Sequence, residues 1–318
     1  MDLSVEIAPQ HIQGLKLANP VMAASGTFGY GMEYAHLIDI QELGAIICKG
    51  TTLRPRDGNP QPRLVETPGG LLNSIGLQNI GVEALIRDKA PIWSKWRVPV
   101  IVNIAAESVE DYARIAERLE GVDGISAIEV NLSCPNSHAG GLEFGTDSYM
   151  AKEVTLAVTS STTLPVIVKL TPNVTDIVSI ALAVVDGGAH ALTVSNTIVG
   201  MAVDIRRRRP VLGLRRGGLS GPAVKPVALN LVYIVSQAVE IPVIGCGGIT
   251  SAQDALEFIM AGASAVQIGT ASFVDPSAMP KALAGIKKYL EEEGFERIGD
   301  IIGVARVDSV DSLSSPSI

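Results

Sequence analysis

Short apolar runs recur along the chain at residues 20–24, 45–48, 98–103, 125–130, 165–170, 191–195, 241–245 and 265–268. Each has the length of a strand, and none alternates strictly with polar residues. That is the pattern of strands buried on both faces, as in a parallel sheet. Helical patterns lie between most of them. Ser108 followed by Asp111 has the form of an N-terminal capping box, and Tyr112, Ile115, Ala116 and Leu119 then fall on one stripe. Thr175 and Ser251 suit the N-caps of stretches ending near Val185 and Met260, and Gly187, Gly188 and Gly262 suit helix C-termini. Strands that are each followed by a helix, with no second composition regime, predict an α/β chain folded as a (β/α)8 TIM barrel. A doubly wound open sheet is the rival, but no G-x-G-x-x-G opens a first unit. Residues 5–17, with Gly14 near their middle, read as an N-terminal β-hairpin closing the bottom of the barrel. The barrel domain is expected to span 1–304, with 305–318 a flexible tail.

Two connections, 50–80 and 196–222, are too long for simple βα loops. In a barrel both would lie on the C-terminal face, where active sites are built. Composition narrows the function. With 47% hydrophobic and only 4% aromatic residues among 318, the core must be made of Val, Ile, Leu and Ala. A formal charge of -8 argues against broad nucleic-acid or anionic-membrane binding. The run Arg206-Arg207-Arg208-Arg209 is the local exception; it reads as a solvated loop, or else as a contact to a partner protein or an anionic ligand. The start, Met1-Asp2-Leu3-Ser4-Val5-Glu6, is acidic and has no signal-peptide h-region. No run reaches the ~20 apolar residues of a membrane span. These features predict a cytoplasmic protein. Cys48, Cys134 and Cys246 are far apart, so neither a zinc site nor an iron–sulfur cluster is expected within this chain.

The candidate chemistry sits at the strand ends. They carry Lys49, Asn103, Asn131 leading to Cys134, Lys169, Ser195-Asn196-Thr197, Gly247-Gly248 and Gly269-Thr270. Asn amides can hold a flat, amide-rich ring, and a thiol can serve as acid or base near neutral pH. Residues 129–141 therefore suggest proton transfer on a planar heterocycle, with a buried Cys in a strand-to-helix turn as the plainer alternative. The glycine loops after the last two strands, with Ile249-Thr250-Ser251 opening a helix, suggest a phosphate site served by backbone N–H groups. Lysines at the ends of the second and fifth strands favour a flavin, whose reduced ring a cation stabilises. A Schiff-base aldolase would use Lys169 differently and leaves the ring of Asn residues without a role.

On these residues the chain resembles the class 1 dihydroorotate dehydrogenases. The matching segments are Ala24-Ser-Gly-Thr-Phe-Gly-Tyr-Gly31, Lys49-Gly-Thr-Thr52, Gly58-Asn-Pro60 with Pro62-Arg63, and Leu72-Asn-Ser-Ile-Gly-Leu-Gln-Asn79. Further along are Asn131-Leu-Ser-Cys-Pro-Asn136, Val168-Lys-Leu-Thr-Pro-Asn-Val174, Gly217-Gly-Leu-Ser-Gly-Pro-Ala223 and Gly245-Cys-Gly-Gly-Ile249. The resemblance implies FMN at the C-terminal face, held by Ser25, Lys49, Gly50, Asn103, Asn131, Lys169, Ser195, Gly221, Gly247, Gly248, Gly269 and Thr270. It implies that dihydroorotate or orotate meets Lys49, Asn73, Ser74, Ile75, Gly76, Leu77, Asn131, Asn196 and Thr197, with Cys134 as the base. The implied reaction is oxidation of dihydroorotate to orotate in pyrimidine biosynthesis.

Within that family, Gly-Thr-Phe-Gly-Tyr-Gly and Asn196-Thr197 are most similar to the NAD-linked class 1B type. This implies a homodimeric core and a separate electron-transfer subunit carrying FAD and a [2Fe-2S] cluster. A single-subunit, fumarate-linked enzyme and a dihydropyrimidine-reducing flavin barrel are the near alternatives. A non-catalytic binding subunit is the distant one. Gly50, where Thr or Ala is commoner, and Leu214-Arg215-Arg216 before Gly217 depart from the family pattern.

Overall fold

The computed structural model describes residues 1–133 and 143–306. Eight parallel strands close into a barrel in sequence order. They are β1 (Val21–Ala23), β2 (Ala45–Ile47), β3 (Val100–Ile104), β4 (Ala127–Asn131), β5 (Val166–Lys169), β6 (Ala191–Val194), β7 (Val243–Cys246) and β8 (Ala265–Ile268). All eight fall on the apolar runs. Their side chains are buried on both faces, apart from the last residues of β4 and β7, because helices cover the outside and side chains fill the inside. Val5–Glu6 pairs antiparallel with Lys16–Leu17 to form the N-terminal hairpin.

The helix Val109–Leu119 starts where the sequence indicates. The Ser108 hydroxyl accepts from the Asp111 N–H, and Tyr112, Ile115, Ala116 and Leu119 are its buried face. One start shifts by a residue: Asp176, not Thr175, caps Ile177–Asp186, its carboxylate accepting from the Val178 and Ser179 N–H groups. A carboxylate there also complements the helix dipole, which a threonine hydroxyl does not. The strand–helix alternation fails once. No α-helix separates β1 from β2, and only the 3-10 turn Ile40–Glu42 is present. Gly26, Gly29 and Gly31 all take positive φ in that stretch, a backbone that a right-handed helix cannot include.

The two long connections are not independent loops. Leu64–Thr67 and Gly70–Asn73 form a hairpin from the first. Gly217–Ser220 and Ile198–Gly200 come from the second. Together they make one antiparallel four-stranded sheet, with Gly70–Asn73 beside Gly217–Ser220. The arginine run lies beyond it, exposed, next to Val203–Asp204. Met201, Val203, Ile205 and Leu214 on the same arm are also exposed. At the end of the described residues, Ala305 donates its N–H to the Met260 carbonyl and Arg306 reaches the Gly262 carbonyl; the rest of the expected tail, 307–318, lies outside them. No helix among the described residues is long and apolar enough to cross a membrane.

Candidate active site

The strand ends and the four-stranded sheet enclose a cavity of about 880 Å³, large enough for a cofactor and a small substrate together. Lys49, Gly50, Asn103, Asn131, Lys169, Ser195, Asn196, Thr197, Gly247, Gly248, Gly269 and Thr270 line it from the barrel. Ser25 contributes from the glycine-rich stretch after β1, and Asn73, Ser74, Ile75, Gly76, Leu77 and Gly221 from the two long connections. Every candidate site residue among the described ones therefore meets at one cavity. Cys134 lies outside the described residues. Ser133, the residue before it, is on the cavity wall.

Two polar clusters organise the wall. In the first, the Asn196 amide donates to Asn131 Oδ1 and to Ser133 Oγ, both at 3.0 Å. The Ser133 N–H donates to the same Asn131 oxygen at 3.1 Å. Asn173 ties this cluster to the second long connection, donating to the Thr197 carbonyl at 3.1 Å and accepting from Val199 N–H at 2.9 Å. Each amide's orientation is fixed by its neighbours, which is how a site keeps its donors aimed before a ligand arrives.

The second cluster lies inside the barrel, and sequence reasoning did not select it. Glu129 is fully buried. Its Oε1 accepts from Asn103 Nδ2 at 2.7 Å, and its Oε2 accepts from Thr193 Oγ1 at 2.8 Å and Gln267 Nε2 at 2.6 Å. Gln267 Oε1 in turn accepts from Lys169 Nζ at 3.0 Å. The Lys169 ammonium stands 4.0 Å from the Glu129 carboxylate and 3.7 Å from Cys246 Sγ. Burial alone would drive Lys169 toward its neutral form. Negative charge beside it, at Cys246 Sγ and then at the Glu129 carboxylate, more than offsets this and holds its pKa above the ordinary lysine value. Burial pushes the Cys246 thiol up, and the Lys169 ammonium beside it opposes that push. Losing either member of a buried pair such as Lys169 and Glu129 strands the other, at a cost of about 3–5 kcal/mol. The signal was present in the sequence: Glu129 shares the inward parity of Asn131, two residues on, in an otherwise apolar strand.

The anion-binding expectation needs one correction. The Thr250 and Ser251 N–H groups both donate to Asp254 Oδ2, at 2.9 and 3.0 Å, so the start of helix Ala252–Ala261 caps itself. Lys225 also binds Asp254, and these contacts outweigh burial, bringing that carboxyl down to about 2. Among the described residues, however, the N–H groups of Gly247, Gly248, Gly269 and Thr270 have no acceptor, and all four residues line the cavity. Unpaired backbone donors on a cavity wall call for an anionic ligand. Gly248 is at φ +77°, and a Cβ there would sit 2.6 Å from the Lys225 nitrogen. Glycine alone lets this loop lie against the start of helix Lys225–Ala238.

At the end of β2, Lys49 is half-buried. Burial lowers its pKa, the nearby Arg63 guanidinium lowers it further, and Glu33 opposes both. The arginine–glutamate pair Arg56–Glu107 and Glu143 complete the rim beyond the residues selected from sequence. Burial raises the Glu143 carboxyl, and its Oε2 has no hydrogen-bond partner among the described residues.

Residues 7–290 match the family model described as dihydroorotate dehydrogenase. The chain is 54% identical over 302 residues to "Dihydroorotate dehydrogenase B (NAD(+)), catalytic subunit" of Geotalea uraniireducens, covering 95% of this chain and 97% of that protein. The identically named protein of Desulforamulus reducens is 57% identical over 293 residues, covering 92% and 96% of the two chains. That of Desulforudis audaxviator is 55% identical over 294 residues, again covering 92% and 96%. A barrel whose strand ends converge on one cavity, matched along nearly its whole length, makes the chain a member of the dihydroorotate dehydrogenase family.

Proposed function

We propose that this chain is the catalytic subunit of an NAD-linked enzyme that oxidises dihydroorotate to orotate in pyrimidine biosynthesis, with FMN held in the barrel cavity. The observation that carries the reading is the cavity itself. It combines unpaired backbone donors at Gly247, Gly248, Gly269 and Thr270, a buried ammonium at Lys169, and an amide-lined wall at Asn131 and Asn196. The donor set fits FMN: the N–H groups suit its phosphate, and Lys169 and Asn103 suit its ring. The long connections supply Asn73 to Leu77 to close over a substrate.

FMN, when bound, supplies the hydride acceptor for C6 of dihydroorotate. The chain's residues do the rest. Lys49 binds the substrate carboxylate. Asn73, Asn131, Asn196 and Thr197 match the ring's carbonyl and N–H groups and fix its orientation. Cys134, next in sequence to Ser133, takes the C5 proton as general base. The electrons then leave through a separate subunit carrying FAD and a [2Fe-2S] cluster. A second subunit agrees with the "catalytic subunit" in the relatives' names. Two copies of this chain form the core of the assembly, a reading that gives the exposed apolar arm around Ile205 a partner. The site of action is the cytoplasm.

Anaerobic addition of dihydroorotate to the purified yellow chain is expected to bleach the flavin. Fumarate alone should not restore the colour, whereas NAD should do so once the electron-transfer subunit is added. Rapid reoxidation by fumarate without a partner would remove the NAD linkage. A chain that stays colourless after FMN is supplied would remove the enzyme reading altogether.

Lys49 gives the binding step a pH dependence. The carboxylate needs the ammonium form, which exists below the Lys49 pKa. Because that pKa is lowered, orotate affinity should fall as pH rises, beginning below the range of an ordinary lysine. Spectral titration of the bound flavin with orotate across alkaline pH measures this. Lys49→Arg, whose guanidinium does not titrate there, should abolish the step. A decline that persists unchanged in Lys49→Arg would assign it to another group.

A further inference from the structure

We propose that Glu129 is a positioning residue for the flavin: acting through Gln267, it keeps Lys169 protonated and aimed into the cavity in both oxidation states of FMN. The inference rests on the FMN reading above and goes beyond it, since Glu129 does not line the cavity.

The geometry fixes a direction through the cluster. Glu129 takes three donors, and one of them is the Gln267 amide nitrogen at 2.6 Å. That nitrogen also donates to Thr193 Oγ1 at 3.1 Å. With its NH2 committed to these acceptors, Gln267 can only turn its carbonyl oxygen toward Lys169, where it accepts at 3.0 Å. An ionised Glu129 thus serves Lys169 twice, by charge at 4.0 Å and by holding the intervening amide in the accepting orientation. The other titratable group facing Lys169 is Cys246 on β7, its Sγ 3.7 Å from the ammonium and its thiol pushed up by burial. The remaining Lys169 protons are left for the cavity.

Glu129→Gln separates this role from packing. The substitution keeps the shape but brings an NH2 group against donors. One carboxylate position faces the Asn103 amide, the other the Gln267 amide and the Thr193 hydroxyl. Where the new NH2 meets Gln267, relief requires that amide to turn over, which puts an NH2 group against Lys169. With charge and acceptor both lost, burial favours the neutral amine in oxidised enzyme. When flavin reduction adds negative charge, the amine takes up a proton. Reduction of the variant then consumes one more proton than reduction of the parent.

Two measurements on the full-length chain test this. In the holoprotein, the FMN midpoint potential is followed against pH by dye-equilibrated reduction. One additional proton per two electrons is a further tenfold in the equilibrium per pH unit, or about 30 mV steeper. In FMN-free protein, competitive labelling by fluorodinitrobenzene, read by peptide mass spectrometry, reports the ammonium fraction of Lys169. Its labelling at fixed pH should rise about tenfold or more on loss of a charge ~4–6 Å away. An unchanged slope together with unchanged labelling overturns the proposal. If Glu129→Gln does not fold, Gln267→Met keeps the carboxylate but removes the bridge, and unchanged values in that variant overturn it equally. Parent protein that never binds FMN would defeat the functional reading, while the labelling result would still decide the link between Glu129 and Lys169.

Discussion

Replacing Cys134 with serine is expected to leave FMN bound and to slow its reduction by dihydroorotate about 10²–10⁴-fold near neutral pH, the usual contribution of a general base. A free thiol titrates near 8.5, so a modest push from its surroundings provides thiolate at neutral pH. A serine hydroxyl is a far weaker acid and would need a base of its own. Stopped-flow reduction under anaerobic conditions isolates the step, because turnover with the partner subunit absent cannot mask it. FMN content and orotate affinity should stay within a few-fold of the parent, since the amide cluster around Asn131 and Asn196 is not altered. Reduction at the parental rate would take the role from Cys134. Glu143 would then be the group to test, because its buried carboxyl faces the same cavity with one oxygen unpartnered among the described residues.

Gly248→Ala should damage the cofactor site from the opposite side. The new Cβ would stand 2.6 Å from the Lys225 backbone nitrogen, at a residue held at φ +77°. The left-handed backbone costs about 1–2 kcal/mol for alanine. Forcing the loop from the start of helix Lys225–Ala238 adds about 1–3 kcal/mol. The Gly247 and Gly248 N–H groups would move with the loop, and FMN should be largely lost on purification. Gly121→Ala is the matched control: φ is +69° there and nothing lies within 4 Å of the added carbon. Denaturant unfolding and the flavin-to-protein ratio measure both effects. Equal stabilities in the two variants, with full flavin content in Gly248→Ala, would contradict the close approach.

The barrel was readable because its strands are buried on both faces and so appear as unbroken apolar runs. Helix starts were readable where a side chain alone can satisfy the first N–H groups, as at Ser108 and Ser251. At Thr175 the neighbouring Asp176 does this better, because its carboxylate also complements the helix dipole. The site residues at strand ends stood out as polar groups terminating apolar runs. Glu129, Thr193 and Gln267 did not, because each lies one pleat deeper, and only strand parity together with barrel closure brings them within 3.1 Å of one another. Pairing between the two long connections was invisible for a related reason. Gly70–Asn73 and Gly217–Ser220 are far apart in sequence, and their glycines and partial burial give neither segment a strand pattern.

That pairing has a consequence for how such a chain can diverge. β2 and β6 stand diametrically opposite in the ring, and the segments that follow them are hydrogen-bonded into one sheet across the mouth of the cavity. In most barrels each loop is free to lengthen or shorten alone. Here a deletion within Gly70–Asn73 removes pairing partners from Gly217–Ser220, so length changes there must arise in both together. The two segments constitute a single unit of inheritance laid over the site, although 115 residues separate them in the chain, from Ile80 to Asn196.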